Sequence, residues 1–256
     1  MKLFLLLLAR YTYLIVPGKY RRDQNLLPKA LRFLPLLGLL CGLCLLGVAR
    51  LLLAIPLPIA AAALTAANLL LGGGLFLQDL MALVDGGRRG VFPETGETPL
   101  LPTDWQERRE KAAFRFSKMA AGWGAVWLCV LYIAYLLLLR WRMIGAAPLI
   151  AAPVFSRWLL AWLVYGFPAA EPAWLHKGFS KRSFWICSGL SLLILLPLSG
   201  LTMLMSLVTA LLGVYIFAGQ RHFSAGGLDE ACYGAGVACG ELLFLLAWLL
   251  FGSIMV

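Results

Sequence analysis

The chain has 256 residues, 62% of them hydrophobic and only 13% charged, against roughly 25% charged residues in an ordinary soluble domain. That excludes a soluble globular enzyme and points to a polytopic integral membrane protein, because in lipid every backbone polar group must be satisfied within its own helix and long apolar runs then read as spanning helices. The net charge of +10 fits either an anionic partner or the positive-inside bias of a membrane protein. No nucleic-acid partner is expected, and the positions of the charges decide more than their sum.

The expected fold is all-α, with about seven transmembrane helices plus an N-terminal interfacial or re-entrant segment, in a single domain over residues 1–256. The first run, MKLFLLLLARYTYLIVP, is interrupted by Arg10 and lacks a small-residue cleavage site, so it reads as a retained segment rather than a signal peptide. Residues 17–32 then carry Lys19, Arg21, Arg22, Lys29 and Arg32. Two spans, 33–55 and 57–77, follow, joined by the uncharged turn Ile55-Pro56-Leu57-Pro58. Residues 78–118 are polar and carry seven basic side chains; within them 88–110, with Pro93, Gly96, Pro99 and Pro102, reads as an expanded loop.

Spans at 119–139 and 145–166 lead to 167–183, with Lys177, Lys181 and Arg182. Spans at 184–200 and 202–219, joined by the bare turn Ser199-Gly200, lead to 220–235 with Arg221, and a last span covers 236–256. An even number of spans separates successive basic stretches, so the positive-inside rule places all four in the cytoplasm. Arg140-Trp141-Arg142 falls on the other side in this arrangement. The six cysteines lie in or beside apolar runs and form no zinc-ligand pattern, so they read as packing residues.

Eleven of the twelve acids lie in the four basic stretches. Acidic residues contribute little to orientation, so either they simply follow other hydrophilic residues into loops or they build a cytosol-facing polar site where several helices end. The twelfth, Glu241, sits within the last apolar run. An ionisable group there is costly and is a functional candidate with a partner on another helix, unless it lies close enough to the interface to snorkel.

Two glycine-bounded stretches carry the other candidates. GGGLFLQDLMALVDGG, residues 72–87, offers Asp79 and Asp85 as metal ligands or as solvated helix-end acids. Six residues at about 100° each put these acids roughly 120° apart on a helix, so one metal bridges them only if the glycines break it. Gly226 and Gly227 are followed by Asp229 and Glu230, either site acids or an ordinary loop turn. Arg157, after Ser156 in an apolar run, calls for a phosphate or a carboxylate such as Glu241. Arg115, Lys118 and Arg221 suit a nucleotide diphosphate, or serve only as positive-inside anchors. His176 and His222 lie in separate stretches and make no metal site alone.

These stretches, with LRFLPLLGLLCG at 31–42, APVFSRW at 152–158, FPAAE at 167–171 and AGGLDEACYGAGVACGELLFLL from Ala225, resemble the cobalamin synthase family, the adenosylcobinamide-GDP ribazoletransferases. The resemblance runs in order over nearly the whole chain. It implies an inner-membrane enzyme, bacterial or archaeal, with a cytosolic Mg2+-dependent site. The reaction implied is transfer of the phosphocobinamide group of adenosylcobinamide-GDP to α-ribazole or its phosphate, with release of GMP. Such phosphoryl transfers need cations against the phosphate oxygens and carboxylates to hold the metal.

Carried over residue by residue, the family's first acidic stripe falls on Gln78, Ala82 and Asp85 and its histidine on Phe76; the second motif's acids fall on Ala231, Ala238 and Glu241. On this resemblance Asp85, Asp79, Asp229 and Glu230 are the catalytic candidates. Ser156, Arg157, Arg115, Lys118, Arg221, Gly226 and Gly227 are the substrate-binding candidates, and Asp85, Asp79 and Glu241 the metal candidates. The substituted acids leave a second reading, a membrane scaffold or corrinoid-binding subunit without catalysis. A transporter is disfavoured, since only Glu241 lies deep. Membrane lipid, a second copy of the chain or other cobalamin-assembly proteins complete the expected partners.

Overall fold

A computed structural model of the chain describes residues 2–12, 26–89, 118–140, 146–167, 179–198, 200–225, 227–228 and 230–254. Nine helices organise them: α1 Lys2–Tyr11, α2 Leu34–Leu51, α3 Leu57–Asn68, α4 Gly74–Arg89, α5 Lys118–Arg140, α6 Ala146–Gly166, α7 Lys181–Leu195, α8 Leu201–Ala225 and α9 Glu230–Ile254. A single helical turn, Leu27–Ala30, and a 3-10 turn, Leu31–Phe33, lead into α2. The all-α membrane fold is therefore as expected.

Local signals set the helix ends. Pro35 in the first turn of α2 and Pro58 in that of α3 occupy positions where no intrahelical donor is lost. Ser180 caps α7, its side chain accepting from the Ser183 N–H at 3.2 Å. At ten residues α1 rises only about 15 Å, half of a bilayer core, and packs Leu6 and Leu7 inward as an ancillary segment.

Among the described residues six helices are long and apolar enough to cross a membrane: Pro28–Ala54, Ala121–Arg140, Ala147–Gly166, Lys181–Leu198, Leu201–Phe223 and Ala231–Ser253. The expected span 57–77 is interrupted rather than a single continuous helix. Its apolar helix, Leu57–Gly72, rises about 24 Å, short of a ~30 Å core. The chain then passes through a wide π turn at Leu69–Gly73, with Gly72 at φ 129°, ψ −15°, into the separate helix α4. The hydropathy pattern is continuous across this kink, which is why composition alone merged the two. The expected loop at 88–110 lies outside the described residues beyond Arg89.

At the centre of the bundle is α6: 83% of an apolar 18-residue stretch of it is buried, against 28% for the corresponding stretches of α7 and α8. Close approach to α2 depends on Gly38 and Gly42, since a Cβ built on Gly38 would lie 2.6 Å from Pro153 O and one on Gly42 2.7 Å from Ile150 Cα. Packing of backbone on backbone through small residues is how helices associate where lipid supplies no hydrophobic drive. Outward-facing side chains such as Leu51, Ile59, Leu193, Leu204 and Leu212 are exposed, as lipid-facing residues are. Basic residues mark both ends of the bundle, for α2 begins after Lys29 and Arg32 and carries Arg50 in its last turn, while α5 begins at Lys118 and ends at Arg140.

Candidate functional site

Helix α9 begins six residues before the expected start of its span, and Glu241 therefore lies about 16 Å along its axis from Glu230, near mid-helix. Snorkelling to the interface is excluded by that depth. Arg157 occupies the corresponding middle of α6. Both are buried, at 3% and 1% exposure, and they pair directly: Arg157 Nη1 donates to Glu241 Oε2 at 2.8 Å, while Arg157 Nε is buried without a hydrogen-bond partner. Of the two partners open to Arg157 in the sequence, the structure shows the carboxylate.

The pair is embedded in a polar network drawn from five helices. Asn68 Nδ2 donates to Glu241 Oε1 at 2.9 Å and to the Tyr135 hydroxyl at 2.8 Å. Ser156 Oγ lies 2.9 Å from Glu241 Oε2 and accepts from Arg157 Nη1 at 2.9 Å. The Leu71 carbonyl, within the π turn, accepts from Arg157 Nη2 at 3.4 Å and from the Cys41 thiol at 3.2 Å. Arg157 also stands over the Phe76 ring, 5.5 Å from its centroid, and Phe76 in turn stacks on Tyr11 of α1 at 6.2 Å. Two buried charges in a low-dielectric interior are tolerable only when paired and further hydrogen-bonded in this way. This geometry gives Glu241 a guanidinium and two neutral donors as neighbours, an environment opposed to a metal cation.

A second region lies nearer the N-terminal end of α9. Asp79, partly buried on α4, packs directly on Gly234 of α9, where a built Cβ would lie 2.6 Å from the Asp79 Cβ. The two glycine-bounded motifs, far apart in sequence, are thus in contact. Moving forward along α3 and α4, from Asn68 to Asp79, corresponds to moving backward along α9, from Glu241 to Gly234. The helices run antiparallel. At about 1.5 Å per residue, Asp85 on α4 is then level with Leu228, two residues ahead of Glu230 at the start of α9.

The remaining sequence candidates divide clearly. Ser156 and Arg157 join the buried network, while Arg221 is partly buried on α8 and Gly227 is buried ahead of α9. Arg115, Asp229 and Gly226 lie outside the described residues, as does His176; Asp85, Lys118 and Glu230 are placed by their backbones within α4, α5 and α9, their side chains outside the description. The helix break falls at Gly72, upstream of both Asp79 and Asp85, and α4 is unbroken between them. Their backbones thus keep the angular offset of about 120°. Among the described residues no three His, Cys, Asp or Glu side chains gather.

Asn68, Tyr135, Cys41 and the Leu71 carbonyl were not legible as members of a site. Asn68 alone carried a signal, a lone amide inside an apolar run, of the kind that bonds across membrane helices.

The sequence model of a protein family described as cobalamin-5-phosphate synthase matches residues 3–92 and 112–249. An adenosylcobinamide-GDP ribazoletransferase of Desulfitobacterium hafniense (strain Y51) is 30% identical over 229 residues, covering 84% of this chain and 83% of its own length. Another, of Thermosynechococcus vestitus (strain NIES-2133 / IAM M-273 / BP-1), is 32% identical over 228 residues, covering 86% and 85%. No solved structure matches the chain.

Proposed function

Since the chain belongs to the cobalamin-5-phosphate synthase family, we propose that it transfers the phosphocobinamide group of adenosylcobinamide-GDP to α-ribazole or its phosphate, the reaction class named for its relatives. A ribazole hydroxyl attacks the phosphate attached to cobinamide; one P–O bond forms, the P–O bond to GMP breaks, and the hydroxyl proton passes to a base. The observation that carries this reading is the contact of Asp79 with Gly234, which brings the two motifs together at the antiparallel α4–α9 pair.

In this reading the reacting groups meet at the cytosolic ends of α4 and α9, in a bacterial or archaeal inner membrane. Asp79, Asp85, Asp229 and Glu230 are the carboxylates available there, and their hard oxygens are the donor type Mg2+ takes. Glu241 is left out of that set, because Arg157 already neutralises it. Bound Mg2+ would supply charge neutralisation on the phosphate oxygens. One of the acids takes the hydroxyl proton, and Arg115, Lys118 and Arg221 supply the basic face for the diphosphate.

The test is GMP release by the purified protein given adenosylcobinamide-GDP, α-ribazole and Mg2+. Release that is abolished by Asp85→Asn, with the variant still membrane-inserted, is the expected result. A parent protein that releases no GMP overturns the catalytic reading in favour of a scaffold, and an Asp85→Asn variant as active as the parent moves the site elsewhere.

A further inference from the structure

We propose that Arg157 and Glu241 form a positioning device for the α4 acids: fixed at mid-membrane, the pair grips the π turn and thereby sets where α4 lies against α5 and α9. The proposal rests on the transferase reading for its kinetic consequence but not for its structural one.

The two ends of the Arg157 guanidinium do different things. Nη1 is held by Glu241 Oε2 and Ser156 Oγ, which belong to α9 and α6. Nη2 reaches the Leu71 carbonyl inside the kink, and is also the side-chain atom nearest to a Cβ built on Gly72, at 3.0 Å. The guanidinium therefore bridges the bundle's central helices to the one point where α3 and α4 are joined by irregular backbone. Glu241 Oε1 approaches the same joint from its other side, through Asn68 at the last residue of α3. Below the joint, Phe76 in the first turn of α4 lies between the guanidinium and Tyr11, whose carbonyl would be 2.5 Å from a Cβ on Gly72. The pair thus holds the kink from two sides, with Cys41 and Tyr135 adding one contact each. Because α4 begins at this joint, a rotation there is carried along the helix to Asp79 and Asp85.

Lysine at 157 separates this from a simple need for charge. A lysine keeps the ion pair with Glu241 but has a single nitrogen, and cannot hold Glu241 and the Leu71 carbonyl as a planar fork does. The geometric readout is a disulfide between α4 and α5. A Cβ built on Gly124 lies 3.2 Å from Met81 Cγ, which places Met81→Cys and Gly124→Cys within reach of the ~3.8 Å Cβ separation of a disulfide.

In the full chain in native membranes, the Met81→Cys/Gly124→Cys pair should cross-link, as read by mass spectrometry of the joined peptides. Adding Arg157→Lys should abolish the cross-link while the protein remains inserted. Without the cysteines, Arg157→Lys should lower the turnover number by about 100-fold, the scale expected for a misplacement near 1 Å, with KM for adenosylcobinamide-GDP little changed. Adding Arg157→Leu/Glu241→Leu, which removes both charges together, should also lose the cross-link. Retention of the cross-link at the parent level in the lysine variant overturns the proposal. A raised KM with the cross-link intact also overturns it, since Arg157 would then be a substrate contact. Loss of the cross-link in a protein whose parent shows no GMP release sustains the device and overturns the transferase reading instead.

Discussion

Replacing Gly72 by alanine concentrates several effects at one atom. The backbone there has φ 129°, outside the regions open to residues with a Cβ, and forcing such a conformation costs of order 1–3 kcal/mol. The added Cβ would also meet Tyr11 O at 2.5 Å and Arg157 Nη2 at 3.0 Å. The first neighbour is backbone and yields only if α1 shifts. The second yields only by lengthening the 3.4 Å bond to Leu71 O, and a hydrogen bond from a charged donor contributes about 1.5–3 kcal/mol. Together these give about 2.5–6 kcal/mol, which at some 2–4 °C per kcal/mol for a chain of this size is a fall in melting temperature on the order of 10 °C. Gly189 on α7 is the control, because a Cβ there meets nothing within 4 Å; alanine at that helix position should leave stability unchanged or raise it by about 0.5–1 kcal/mol. Thermal unfolding of the two variants in the same lipid nanodiscs reads the difference. Equal melting temperatures for Gly72→Ala, Gly189→Ala and parent would refute the claim that the kink requires glycine.

Asn68→Leu removes the donor shared by Glu241 Oε1 and the Tyr135 hydroxyl, leaving a buried acceptor unmet, and should cost about 1–3 kcal/mol in the same unfolding assay; Asn68→Asp should cost more, by setting a second carboxylate beside Glu241. For orientation, a cysteine replacing Thr103 should resist a membrane-impermeant thiol reagent applied outside intact cells, and should react once the membrane is opened. Labelling of that cysteine in sealed cells would invert the proposed arrangement of the basic stretches.

The membrane character and the six full spans were legible because they depend on run length and composition, quantities a sequence states directly. The broken span was not, since Leu69, Leu70 and Leu71 are as apolar as any helix interior while the break depends on one φ angle at Gly72. Among the candidate residues, Ser156, Arg157 and Glu241 stood out because ionisable groups in apolar runs need partners. Their mutual pairing was one of the alternatives left open, and only the packing of α6 on α9 settles it. Tyr135 and Cys41 gave no warning, as tyrosine and cysteine are common in spans for reasons of packing alone. The proximity of Asp79 to Gly234 was hidden in another way: the resemblance named both motifs, but contact between distant stretches follows from helix direction and register.

The central burial of α6 has a consequence for how the molecule is made. Its arginine must enter the bilayer about 3 kcal/mol less favourably than an apolar residue at the same depth, and the carboxylate that answers it lies 84 residues further along the chain. At about 5–20 residues per second of synthesis, Arg157 waits roughly 4–17 s for Glu241 to emerge. During that interval the Leu71 carbonyl and the Ser156 hydroxyl, both already synthesised, are the available acceptors. Helix α9 thus acts as a keystone set after the other described helices, and nascent chains halted between α6 and Glu241 should be the species that quality-control proteases remove.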